Sequence, residues 1–152
     1  MANSIDRKKV TALLNQILEA ELAGVVRYTH YSFMVYGYNR IPIVSWLRDQ
    51  ANEGLAHAQL AGELLTSFGE HPSLAIGHLL ETHKHDIGQI LEEALANEKE
   101  SLVLYRALLD EVRDRSVVLE EYARQQIAAE EQHAFEVDKM LRKPGEVGRF
   151  SG

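Results

Sequence analysis

Four long stretches of this sequence repeat apolar residues at steps of three, four or seven, and almost nothing interrupts them. Only three prolines and ten glycines punctuate 152 residues, too few for the frequent turns of a many-stranded sandwich. Ser4 offers a cap to a first helix whose Val10, Leu14, Leu18, Val25 and Tyr28 share one stripe, and the pattern predicts that helix to about Tyr36. Gly37-Tyr38-Asn39-Arg40 breaks it, and Pro42 suits the first turn of a second helix over about 42–68, where its missing N–H costs nothing. Gly69 fits a left-handed helix end, and Pro72 blocks continuation. Residues 69–83 form a long crossover, with a short helix predicted over 73–80. A third helix is predicted over about 84–114. After the tight Asp114-Arg115-Ser116 connection, Ser116 caps a fourth helix that reaches about Leu141 and stops at Lys143-Pro144-Gly145. Two short loops flanking one long crossover predict an all-α four-helix bundle with one long crossover and a short crossover helix. The length favours a single domain over 1–152, with a helical core over about 5–142 and a loose tail over 143–152.

Composition narrows the chemistry. The absence of cysteine removes disulfides, iron–sulfur clusters, thiolate zinc sites and thiol catalysis, so any metal must bind through oxygen and imidazole nitrogen. No apolar run approaches a membrane span, and the first residues lack the apolar core of a signal peptide, which makes the cytoplasm the expected location. A formal net charge of -7 disfavours a surface built to wrap nucleic acid.

The informative positions are those where ionisable groups replace apolar residues on the inward seams. The first seam reads Leu14, Leu18, Glu21, Val25, Tyr28, and the second reads Trp46, Gln50, Glu53, His57, Leu60, Leu64. The third reads Ile87, Leu91, Ala94, Glu98, Leu102, Tyr105, Leu109, and the fourth Leu119, Ala123, Gln126, Glu130, His133, Val137, Met140. Measured from the shared loops, Glu21 lies roughly 22 Å along the first helix and the Glu53/His57 pair roughly 20 Å along the second. Glu98 lies roughly 24 Å from the other short loop, and Glu130 with His133 roughly 21 to 26 Å. All six groups, Glu21, Glu53, His57, Glu98, Glu130 and His133, can therefore converge in mid-bundle. Four carboxylates buried together would cost several kcal/mol per ion uncompensated. Two divalent cations neutralise them, and two imidazoles add nitrogen donors without charge. One His per metal in an oxygen-rich set suits iron or manganese.

Other groups carry weaker signals. Tyr28, seven residues after Glu21 on the same stripe, is placed either to hydrogen-bond a ligand carboxylate or to pack in the core. His78, His83, His85 and Asp86 cluster near the crossover's end, where a solvated loop is the commoner explanation and an auxiliary iron site the alternative. Tyr31, Phe33, Tyr36 and Tyr38 exceed the needs of one bundle face and are expected at subunit contacts.

The stretches Leu14-Asn15-Gln16-Ile17-Leu18-Glu19-Ala20-Glu21-Leu22 and Ala129-Glu130-Glu131-Gln132-His133 resemble helix motifs of the ferritin-like superfamily, and of bacterioferritin most closely. The resemblance spans about residues 5–142. It implies ligand roles for Glu21, His57 and Glu98, and for Glu130 with His133 as the fourth-helix Glu-x-x-His. The sixth position departs: the family spacing puts a bridging Glu three before His57, where this chain has Gly54, and Glu53 lies four before. That changes the angular offset from about -60° to about +40°, so Glu53 must bind differently or a local helix bulge must restore the geometry. No Met stands where bacterioferritin ligates haem, so haem is not expected. The chain has no residues for the fifth helix of 24-subunit cages, and a homo-oligomer closer to the dodecamers of Dps-type mini-ferritins is expected.

What the resemblance implies is a ferroxidase holding two iron ions per subunit, oxidising Fe(II) with O₂ or H₂O₂ and storing ferric iron in a protein cage, thereby limiting iron-driven oxidative damage. Glu53 and Glu130 would bridge the irons, with Glu21 and Glu98 as terminal ligands. The rivals are a di-metal peroxidase or manganese catalase-like enzyme without storage, and a DNA-associating Dps-type protein.

Overall fold

A computed structural model describes residues 4–79 and 82–148. They form four helices, α1 (Arg7–Met34), α2 (Arg40–Ser67), α3 (Ile87–Val112) and α4 (Val117–Leu141). The expected bundle is present, with shifts of a few residues at the ends. Asp6 rather than Ser4 caps α1, accepting from the Lys9 amide at 3.2 Å. Asp86 caps α3, which starts three residues later than expected, and Ser116 caps α4 as its sequence suggested. Gly37 (φ +101°) makes the α1–α2 turn, and Gly69 (φ +75°) ends α2 in the left-handed region that glycine enters without strain.

Two apolar clusters fix the chain direction. One gathers the start of α1 (Val10, Leu14), the end of α2 (Ala61, Leu65), the end of α3 (Leu108, Val112) and the start of α4 (Leu119). The other gathers the end of α1 (Tyr31, Val35), the start of α2 (Val44, Leu47) and the start of α3 (Ile90). The crossover must therefore run from one end of the bundle to the other, while α1 pairs with α2 and α3 with α4. The stretch between the two clusters is where the polar seam positions lie.

The crossover corrects one expectation. Residues 73–79 are not helical, and Leu80 lies outside the described residues. The segment is an extended strap that hydrogen-bonds to α1. The Ser73 amide donates to Asn15 Oδ1 at 2.8 Å, its hydroxyl to Glu19 Oε2 at 2.6 Å, and the Gly77 amide to the Glu19 carbonyl at 2.7 Å. A Cβ on Gly77 would stand 3.0 Å from that carbonyl oxygen and 3.2 Å from Ala20 Cα. Backbone cannot swing aside, so Gly77→Ala is expected to destabilise the fold by about 1–3 kcal/mol, the usual cost of overpacking, read as a lower urea midpoint at unchanged slope.

Candidate metal centre

Helical periodicity carries three carboxylates from three helices into the interior. Glu21 (α1), Glu98 (α3) and Glu130 (α4) are each no more than 7% exposed. His57 (α2) and His133 (α4) join them from the edge. Ligand atoms of Glu21, His57 and Glu130 lie within 4.8 Å of one another, and so do those of Glu98, Glu130 and His133. Glu130 belongs to both groups. His57 Nδ1 lies 3.6 Å from Glu21 Oε2 and 3.5 Å from Glu130 Oε1, and His133 Nδ1 lies 2.9 Å from Glu98 Oε1.

The sixth position is different. The Glu53 side chain is 49% exposed and stays outside both groups, with Oε1 3.8 Å from His57 Nε2, the ring nitrogen turned away from the buried carboxylates. The bulge that would have rotated it inward is absent, because α2 runs as uninterrupted α-helix through 53–57. The four-residue step therefore leaves Glu53 at the rim of the cavity that the other five residues line. Gly54 faces the site instead: a Cβ there would lie 3.5 Å from the Glu21 carbonyl oxygen and 3.8 Å from Glu21 Oε2.

Two tyrosines brace the carboxylates in a crossed arrangement. Tyr28 of α1 donates to Glu98 Oε1 of α3 at 2.6 Å, and Tyr105 of α3 donates to Glu21 Oε1 of α1 at 2.8 Å. Each follows its own helix's carboxylate by seven residues, so each lies two turns away on the same face. The sequence reading left Tyr28 between this role and core packing and gave Tyr105 as core, although the same step of seven was there to be read. Burial, with the neighbouring carboxylates, raises both phenols above their usual pKa, so they remain neutral donors at physiological pH.

Without cations, the site holds its charge in check with protons. Burial opposes a charged His57, but hydrogen bonds with Glu130 and Glu21 outweigh it and raise its pKa to about 10. His133 is likewise raised by Glu98 against the opposing effect of burial. Glu98 and Glu130 share a hydrogen bond; burial raises Glu130, whereas contacts from Glu130, His133 and Tyr28 lower Glu98 against its own burial. Glu98 thus bears the charge and Glu130 the proton. Among the candidate ligands, Glu130 Oε2 and His133 Nε2 are buried with no hydrogen-bond partner. Unpaired oxygen and nitrogen atoms beside paired carboxylates and imidazoles are what divalent cations with oxygen and nitrogen preference satisfy once the protons leave.

These protons must leave when metal enters. The raised His57 pKa stabilises the metal-free fold fully below its ordinary value of 6.5, and that contribution is lost as pH rises towards about 10. Metal affinity runs the other way. Calorimetry of Co(II) binding near pH 7, in buffers of differing ionisation enthalpy, is expected to show at least one proton released per chain, with affinity rising about tenfold per pH unit for each proton displaced.

The remaining sequence candidates lie elsewhere. Asp86 is committed to the α3 cap, accepting from the Gly88 amide at 3.1 Å, and His83 sits at φ +58°. The His85 ring meets that of His30 at 6.1 Å. Among the described residues no metal-competent group forms from His78, His83, His85 and Asp86. Tyr31 is buried and donates to Glu93 Oε1 at 2.5 Å, whereas Phe33, Tyr36 and Tyr38 are exposed. No helix among the described residues is long and apolar enough to cross a membrane.

The sequence signature of the ferritin family, described as a ferritin-like domain, matches residues 11–145. Among solved structures, a ferritin-like diiron-carboxylate protein from Bacillus anthracis shares 22% identity at a TM-score of 0.85, over 93% of this chain and 100% of that one. A dodecameric thioferritin, the bacterioferritin-related protein of Bacteroides fragilis, shares 19% identity at a TM-score of 0.82, over 91% and 87% of the two chains. Bacterioferritin of Rhodobacter capsulatus shares 23% identity at a TM-score of 0.78, over 88% and 84%. At these identities the likeness is one of fold. Among curated proteins, none matches the sequence.

Proposed function

Because the chain belongs to the ferritin family of ferritin-like domains, we propose that it is a ferroxidase that takes up two Fe(II) per subunit, oxidises them and stores the ferric product. The observation that carries this reading is the sharing of Glu130 between two three-residue groups, each with its own histidine and its own terminal carboxylate. One cation would lie among Glu21, His57 and Glu130, the other among Glu98, Glu130 and His133. Iron supplies the one-electron chemistry, and two Fe(II) give the two electrons that reduce O₂ to H₂O₂ or H₂O₂ to water. The chain's own groups do the rest. Glu130 would contribute to holding both ions, Tyr28 and Tyr105 hydrogen-bond Glu98 and Glu21 and so fix their orientation, and Glu53 stands beside His57, where it can orient the ring. Carboxylates accept both ferrous and ferric ions, so the site need not be rebuilt between states.

A cytoplasmic homo-oligomer with a hollow interior, a dodecamer in preference to a 24-mer, completes the proposal. Exposed Phe33, Tyr36, Tyr38 and Ile41 supply apolar surface suited to subunit contact. The test is anaerobic loading followed by oxidant. Two Fe(II) per chain should oxidise in a fast phase, and further iron should accumulate in a particle of constant outer size. Glu98→Ala should remove the fast phase, and an unchanged rate in that variant rules out this centre. A small assembly that turns over peroxide and retains no iron would instead support the di-metal peroxidase or manganese catalase-like reading.

A further inference from the structure

Two histidines outside the buried centre meet where the crossover ends. His30 is an exposed residue of α1, and His85 is a partly buried residue just before the Asp86 cap of α3. Their rings stand edge to face with centres 6.1 Å apart. Imidazoles bound to one ion have their ring centres each about 3.2 Å from it, a bond of about 2.0–2.1 Å plus about 1.2 Å within the ring. Two such rings are therefore about 5.2 Å apart at a tetrahedral angle and about 6.4 Å apart in line. The observed spacing falls inside that range. Neighbouring contacts hold the pair in place. Tyr31, next to His30, donates to Glu93 Oε1 at 2.5 Å, and Thr82 donates to Glu93 Oε2 at 2.8 Å. The end of the crossover, α1 and the start of α3 are thus tied in one register before any ion arrives, which reduces the entropy lost in gathering donors from separate elements.

We propose that His30 and His85 form a second metal site, for a divalent cation of the copper, nickel and zinc class, with water completing its coordination. Donor chemistry separates it from the interior. The buried groups are rich in carboxylate, whereas among the described residues no acidic side chain joins this pair in a three-residue group. Imidazole donors without carboxylate suit copper, nickel and zinc, and oxygen-rich sets suit iron and manganese. Rotation of the exposed His30 side chain can close the last ångström to a tetrahedral angle. An ion held there clamps the end of the crossover to α1 at a second point, beside the Tyr31–Glu93–Thr82 link, and so stabilises the folded chain. The site stands whether or not the buried centre holds iron.

Cu(II) provides the probe, because it heads the affinity order of the first-row divalent ions and nitrogen ligands split its electron paramagnetic resonance. The full-length protein is compared with His30→Gln and His85→Gln, which keep side chains of similar bulk and remove the imidazole. Equilibrium dialysis should find one more Cu(II) per chain in the parent than in either variant. Each variant should lose at least about tenfold in affinity for that ion, since the two donors act together as a chelate. The nitrogen splitting that belongs to it should vanish in both. Co(II) loading of the buried centre should be the same in all three proteins, which also shows that the variants are folded. An additional Cu(II) retained by either variant, or a parent that takes up no more Cu(II) than the variants do, overturns the inference.

Discussion

Replacing Glu130 with leucine is expected to abolish loading of both metal positions and to slow Fe(II) oxidation by at least about 100-fold, while also making the metal-free protein less stable. Both effects follow from one placement. Glu130 is the single side chain common to both groups, so its loss removes a ligand from each cation at once. Its Oε2 is buried and unpaired, and its carboxyl holds a proton mainly because burial disfavours the charge. A leucine of similar size removes that carboxyl but leaves Glu98 and His57 without the hydrogen bonds it makes with them, and a buried polar group left unsatisfied costs about 1–3 kcal/mol. The parent protein should widen its advantage when metal is added, because ligands that bind only the folded state stabilise it. Thermal melts with and without Co(II), beside equilibrium dialysis, check this. A variant that still loads both metal positions would mean that Glu130 is not a shared ligand, contrary to the role assigned here.

Leu65→Ala should produce the largest purely structural effect, a loss of about 2–5 kcal/mol. Leu65 is fully buried near the end of α2, in the cluster that also contains Leu14, Leu108 and Leu119. Truncation there removes apolar contact from an end of the bundle where all four helices meet, and the rigid neighbours cannot collapse into the space. The melting temperature should fall by roughly 2–4 °C for each kcal/mol lost, as expected for a chain of this size. Metal stoichiometry should stay at the parent value once the variant is folded, since the metal centre lies a little over two turns away, about 12 Å along α2 from Leu65 to His57. A stability loss below about 1 kcal/mol would show that this end of the bundle repacks freely.

Most of the architecture was legible in the sequence because helical repeats are local. The step of three or four residues identifies the inward stripe of each helix, and a rise of about 1.5 Å per residue converts loop positions into heights. Those two rules bring Glu21, His57, Glu98, Glu130 and His133 to one level, and the same spacing that singled out Tyr28 also marks Tyr105. The ends of the helices were less legible. Asp6 and Asp86 cap where Ser4 and an earlier start had been expected, because several polar residues compete for each cap and neighbouring segments decide among them.

The strap over residues 73–79 shows the limit of local reading. Its apolar content suits a short helix, yet Asn15 and Glu19 on α1 offer hydrogen bonds that an extended backbone can take and a helix cannot. Glu53 shows it again: its spacing from His57 permits either an inward or a rim position, and the regular course of α2 settles it at the rim. The sequence by itself determined the helices, their inward faces and the height of the carboxylates, since all three follow from repeats within one helix. Only the tertiary structure decided which acidic group stands at the rim, which carboxyl keeps a proton, and how the crossover runs, because each depends on atoms contributed by a different helix.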